Sequence, residues 1–336
     1  HPSVLLYSVG NEIPEIGTPH GAKTCHDLCE KLRALDPGRY TLAAVNGLFA
    51  AGDRMGEILS DVAAGLPPEE IQGDVNDFMT MQARHMDKIV RHRAIGQRLE
   101  RAFAPCDIAG YNYMTGRYEE DLKTYPNRIL VGSETYPPAI AENWALVKKH
   151  PPLIGDFLWT GWDYLGEAGL GVPGYEFGEG GFGARFPCQL AYCGDFDITG
   201  FRRPLSYFHQ LIYGLTATPH IAVQRPDKFG VPLMKTPWIL SDSVSSWTYP
   251  GLEGRPVMVE VYSAGDEVEL LCCGESLGRR PAGEAGGYLA LFETVYRPGT
   301  LEAVAYKDGA VLARTSLATA EGPFHLEAEA EPAGPE

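Results

Sequence analysis

Over the first two hundred or so residues, short runs of β-branched and aliphatic residues alternate with stretches whose apolar positions recur at helical spacing. That is the pattern of βα units around a parallel sheet. Five runs read as strands, at residues 4–8, 40–45, 108–113, 129–132 and 153–159, and each ends in polar or aromatic residues rather than further aliphatics. In a parallel barrel, chemistry sits at those C-terminal strand ends. Between the first two runs, Cys25, Leu28, Cys29, Leu32 and Leu35 keep helical spacing until Asp36-Pro37-Gly38 stops them. Residues 47–105 form an unusually long connection, rich in helix formers from 77 to 102, of the kind that shapes a cleft or an oligomer contact. A helix over 203–213 closes the region.

Residues 216–255, rich in Pro and Gly, read as a linker with short extended pieces. The period then changes. Val257, Val259 and Val261, then Val268 and Leu270, alternate with polar residues, and 301–306 followed by Asp308-Gly309 and 311–312 reads as a hairpin. This predicts a small antiparallel sandwich of immunoglobulin-like size over 256–320. Residues 321–336, with several Glu and no Lys or Arg, read as an acidic tail or the start of a further domain.

At 336 residues the chain is long enough for about two domains. Its 44% hydrophobic and 21% charged residues are ordinary for globular proteins, and the excess of Gly (39) and Pro (26) implies structured loops. A net charge of -16 repels a phosphate backbone, so nucleic acid and anionic membranes are not expected partners. No apolar run approaches the ~20 residues that cross a bilayer. The seven Cys (25, 29, 106, 188, 193, 272 and 273) include no C-x-x-C pair and read as buried, reduced residues, which favours a reducing compartment without fixing the cellular address. His85 and His92 lie seven apart but lack a third ligand, so no metal site is expected.

Two carboxylates stand out, Glu12 in Ser8-Val9-Gly10-Asn11-Glu12 and Glu134 in Val131-Gly132-Ser133-Glu134, each just after or at the end of a predicted strand. Alone, each could cap a following helix. As a pair at two barrel-strand mouths they are what glycoside hydrolysis requires: a neutral acid for the leaving oxygen and an anion for the oxocarbenium-like carbon.

The run His1-Pro2-Ser3-Val4 leading to Gly10-Asn11-Glu12 resembles the acid/base signature of glycoside hydrolase family 2, which includes bacterial β-galactosidases, β-glucuronidases and β-mannosidases. Ser133-Glu134-Thr135-Tyr136 resembles its nucleophile strand, residues 155–163 its eighth strand, and Gly194-Asp195-Phe196-Asp197 through Arg202-Arg203-Pro204 the stretch entering its last barrel helix. Residues 256–319 resemble a small β-domain that follows the barrel in some members.

The resemblance implies an α/β fold: about five strands from the C-terminal portion of a TIM (β/α)8 barrel over 1–215, followed by the immunoglobulin-like sandwich. It implies a retaining exo-β-glycosidase with Glu12 as acid/base and Glu134 as nucleophile, their carboxyls ~5 to 5.5 Å apart. Asn11 would bind the sugar 2-hydroxyl and Trp159 would offer a platform to its C–H face. Tyr113 would hydrogen-bond the nucleophile; Tyr111, which strand alternation puts on the same face, is the alternative. No cofactor is implied, and the partner is a small carbohydrate. Ala191-Tyr192-Cys193 lacks the Asn-x-Lys by which β-glucuronidases hold a carboxylate, which tilts the expectation to galactose over glucuronide or mannoside. A non-catalytic carbohydrate-binding fragment is the competing class. The first barrel strands expected for the family are not seen, so either self-association or pairing with a missing N-terminal half is expected to cover exposed strand edges.

Overall fold

A computed structural model describes residues 1–66, 85–176, 179–181, 184–322 and 327–329. The chain divides into two units, one made of 1–215 with 231–242, the other of 216–230 with 243–336.

The first unit carries a five-stranded parallel sheet in sequential order: β1 (Leu6–Asn11), β2 (Tyr40–Val45), β3 (Ile108–Asn112), β4 (Ile129–Thr135) and β5 (Leu153–Leu158). All five expected strands are present. The first runs on to Asn11, with a register shift against β2 between Ser8 and Asn11. β1 and β5 form the two edges of the sheet.

Helix α1 (Pro19–Leu35) starts because the Thr18 hydroxyl accepts from Gly21 N and Pro19 pre-sets the first turn. Its inward positions differ from the expectation: Cys25 and Cys29 are buried, whereas Leu28 and Leu35 are exposed. The single long insert helix is instead broken. A short helix, Met86–Val90, is followed by α2 (Arg93–Phe103), which begins where the His92 Nδ1 accepts from Ala94 N. The other ring nitrogen, His92 Nε2, faces Asp61 at 3.1 Å. Residues 67–84, with the start of the helical stretch expected over 77–102, lie outside the described set. Before the insert's later half come helices Gly47–Ala50 and Met55–Ala64, and after it α3 (Tyr118–Thr124), α4 (Ile140–Lys149) and α5 (Pro204–Ile212). Among the described residues, no helix is long and apolar enough to cross a membrane.

The second unit holds two four-stranded antiparallel sheets. One is ordered β10-β9-β12-β13 and the other β11-β8-β6-β7, with β6 at His220–Gln224, β7 at Ser243–Val244, β8 at Pro256–Tyr262, β9 at Glu267–Cys272, β10 at Glu275–Pro281, β11 at Leu289–Val295, β12 at Thr300–Lys307 and β13 at Ala310–Ala318. Val257, Val259, Val261, Val268, Leu270 and Leu301 are fully buried in one core shared by both sheets. The β12–β13 turn takes Asp308 and Gly309 at φ 50° and 77°, as a two-residue hairpin demands.

Residues 216–255 are therefore not a linker. β6 pairs with β8, placing 216–230 in the antiparallel unit, while 231–242 return to the parallel one. Ile221, Ala222 and Val223 are buried strand residues, and the flanking prolines hid their short run from a composition reading. Of the acidic tail, 323–326 and 330–336 lie outside the described residues.

Candidate active site

Polar residues from β1 to β4 converge at the C-terminal ends of the strands. Asn11 ends β1, and Glu12, one step on, has φ 50° while its N–H donates to Ala44 O at 2.9 Å. A left-handed non-glycine residue costs roughly 1–2 kcal/mol, so the surroundings hold it there. Glu12 Oε1 accepts from Asn46 Nδ2 at 3.0 Å and from Asn112 Nδ2 at 3.2 Å. Asn46 follows β2, and its Oδ1 also caps the next helical turn by accepting from Leu48 N. The buried Asn112 ends β3, donates to Asn11 Oδ1 at 2.9 Å and accepts from Ser133 Oγ at 2.6 Å.

Glu134 projects from β4 within hydrogen-bonding reach of Tyr113, Asn11 and Asn112. Burial pushes its carboxyl above the usual range; the Tyr113 hydrogen bond opposes this and the charge of Glu12 adds to it. The two glutamates, 122 positions apart in sequence, thus share one amide network and feel each other's charge.

The structure separates the two tyrosines. Tyr111 is fully buried, with its hydroxyl donating to Asp121 at 2.7 Å beside Arg117. Tyr113 lies past the strand end, at φ 56°, with its N–H on Glu134 O at 2.8 Å and its hydroxyl near the Glu134 carboxylate. Strand alternation fails because β3 stops at Asn112 and the backbone turns left-handed.

Tyr113 stacks on Tyr136 at 4.5 Å, and Trp238 meets both edge-on at 5.5 and 5.0 Å. Trp159 follows β5; its indole N–H donates to Tyr164 Oη at 2.9 Å, and it packs with Trp238 on Leu170, Ala191 and Cys193. An aromatic wall therefore stands beside the carboxylates, with Trp159 half-buried in it. Asp163, Asp195 and Arg203 serve a different end: Arg203 pairs with Asp163 at 2.6 Å and His209 with Asp195 at 2.9 Å, tying the loop after β5 to α5.

Asn46, Asn112, Ser133 and Tyr136 escaped the sequence reading, although each sits at or just beyond a strand end, a position rule that would have found them. Trp238 carried no such signal, since it lies in the segment read as a linker.

Residues 254–313 match a family described as a domain of unknown function, DUF4982. Over 185 residues the chain is 34% identical to a protein of Formosa agariphila provisionally named a β-glucuronidase, covering 54% of this chain and 15% of that protein. It is 22% identical to a β-galactosidase of Bacteroides ovatus, over 97% of this chain and 37% of the relative. In structure it is similar to a glycosyl hydrolase family 2 member of Bacteroides cellulosilyticus, at TM-score 0.73 and 31% identity, covering 96% of this chain and 36% of that one. A second such member from the same species gives TM-score 0.65 at 29% identity, covering 96% and 34%. The chain thus spans between about a seventh and two-fifths of the length of these proteins.

Proposed function

We propose that this chain, whose relatives in sequence and structure are glycoside hydrolase family 2 proteins, carries the catalytic pair of a retaining exo-β-glycosidase. In this reading the parallel sheet is five strands of a (β/α)8 barrel, and the antiparallel unit is an immunoglobulin-like sandwich. The observation that carries the proposal is the shared network in which Asn112, between β1 and β4 in the sheet order, donates to Glu12 and lies within reach of Glu134.

The roles are those that the resemblance of the Glu12 and Glu134 motifs to the family implies. Glu134 attacks the anomeric carbon as the glycosidic bond breaks, and Glu12 passes its proton to the departing oxygen. The Tyr113 hydroxyl and the two amides hold the nucleophile in place. Once the sugar sits on Glu134 its charge is gone, so Glu12, now anionic, takes a proton from water, which attacks the same carbon and releases Glu134. Asn11 is placed for the 2-hydroxyl and Trp159 for the sugar's apolar face. A terminal β-galactoside is the leading substrate. β-Glucuronide is the second reading, favoured by the 34% identity to the Formosa protein.

The test is release of nitrophenol from aryl β-galactoside, β-glucuronide, β-mannoside and β-glucoside by the folded chain and its Glu134→Gln variant, with a 2-fluoro glycoside to trap the intermediate. A sugar adduct on the Glu134 peptide, with turnover lost in the variant, supports the assignment. Turnover equal in both proteins overturns it.

A further inference from the structure

Three cysteines that sequence spacing does not associate converge away from the carboxylates. Cys25 and Cys29 lie one turn apart on α1, both buried, and Cys106 arrives from the loop between α2 and β3. Cys106 Sγ is 3.8 Å from Cys25 Sγ and 4.0 Å from Cys29 Sγ, and all three sulfurs lie within 4.8 Å of one another. A zinc-like ion with metal–sulfur bonds of about 2.3 Å sets thiolates about 3.8 Å apart in tetrahedral geometry and about 4.0 Å apart in trigonal geometry. The two separations to Cys106 have those values. The thiols gain little from each other or from the backbone meanwhile: the Ala102 carbonyl is 3.8 Å from both Cys25 and Cys106, a weak contact.

We propose that Cys25, Cys29 and Cys106 form a three-thiolate site for a thiophilic d10 cation, Zn²⁺ or Cu⁺. Arg33 stands beside Cys29, fixed by donating to Pro105 O at 2.7 Å and Thr41 Oγ1 at 3.1 Å and by ion pairs with Glu30 at 2.7 Å and Asp107 at 3.0 Å. Access is from a surface cleft of about 300 Å³ that Cys25 lines together with His20 and Thr24. Each thiol releases a proton to solvent as it ligates, so binding acidifies an unbuffered solution. Soft sulfur donors select these ions over Mg²⁺ or Ca²⁺.

The test uses the whole chain, reduced with a phosphine under argon. Zn²⁺ is titrated against a chromophoric chelator in one arm and Cu⁺ in another, and proton release is recorded. The expected result is one ion per chain for Zn²⁺, Cu⁺ or both, with affinity at least about 100-fold lower in Cys106→Ser and unchanged in Cys273→Ser, whose thiol is exposed on the antiparallel unit. X-ray absorption of the loaded wild-type protein is independent of whether the Cys106 variant folds; it should show three sulfur ligands. No bound ion, equal affinity in Cys106→Ser, or a shell of nitrogen and oxygen only would overturn the site.

Discussion

The two units use the same backbone irregularity for opposite ends. In the antiparallel unit, left-handed residues such as Asp308 and Cys273 fall at turns, where they let a strand reverse and leave the alternating valines to fill the core. In the parallel unit, Glu12 and Tyr113 take the same conformation directly after strands, and each delivers a functional group to the strand ends instead of reversing the chain. Buried polar side chains follow the same division. Glu260 in the antiparallel core accepts from Gln224 at 2.8 Å and from Tyr262 at 2.9 Å. Glu134 is held by amides and a hydroxyl but is also pushed toward protonation by burial and a second carboxylate. Local rules are broken at turns in one unit and at the strand-end carboxylate cluster in the other.

The sharpest way to break this contrast is Glu134→Gln, which should lower turnover by about 10^4-fold or more, as loss of a nucleophile does. Retained turnover would reduce the parallel unit to a second structural module. Glu12→Gln should cost about 10²- to 10^4-fold on substrates with poor leaving groups and far less on activated aryl glycosides, which need no acid. Equal losses on both classes would remove the acid role.

The opposite perturbation is Leu270→Ala in the antiparallel core. Urea unfolding should show a loss of about 2–5 kcal/mol, with turnover per folded molecule unchanged. A fall in turnover at full folding would show that this unit contributes to chemistry.

The smallest effect concerns Asp156 on β5, pushed up to about 6 by burial against a hydrogen bond from Thr135. Its ordinary value is 3.8, so between about 4 and 6 the folded protein keeps a proton that the unfolded chain releases. Stability should therefore fall as pH rises through that window, by at most about 3 kcal/mol, and level off above it. Asp156→Asn should flatten this slope in thermal melts; an unchanged slope would assign it to another group.

The five strands, helices α1 and α5 and the hairpin of the second unit were legible in sequence, because burial imposes a period on each segment separately. Glu12 and Glu134 were legible as a pair because strand-end carboxylates and the family-like motifs around them are local features. Residues 216–242 were not: a short strand framed by prolines looks like a linker until β8 pairs with it. Trp238 was hidden for the same reason, since only the return of 231–242 to the parallel unit sets it on Tyr113 and Tyr136.

What the sequence by itself determined is which residues could lie at strand ends and which faces would be apolar. Those properties follow from periods of two and 3.6 residues and from the chemistry of single side chains. What only the tertiary structure decided is which of them meet. Asn112 reaching both Asn11 and Glu12, Tyr113 rather than Tyr111 facing Glu134, and Cys106 closing on Cys25 and Cys29 all join segments that are distant along the chain. Sequence spacing carries no such distance; the register of the sheet and the two left-handed residues past its strands set it.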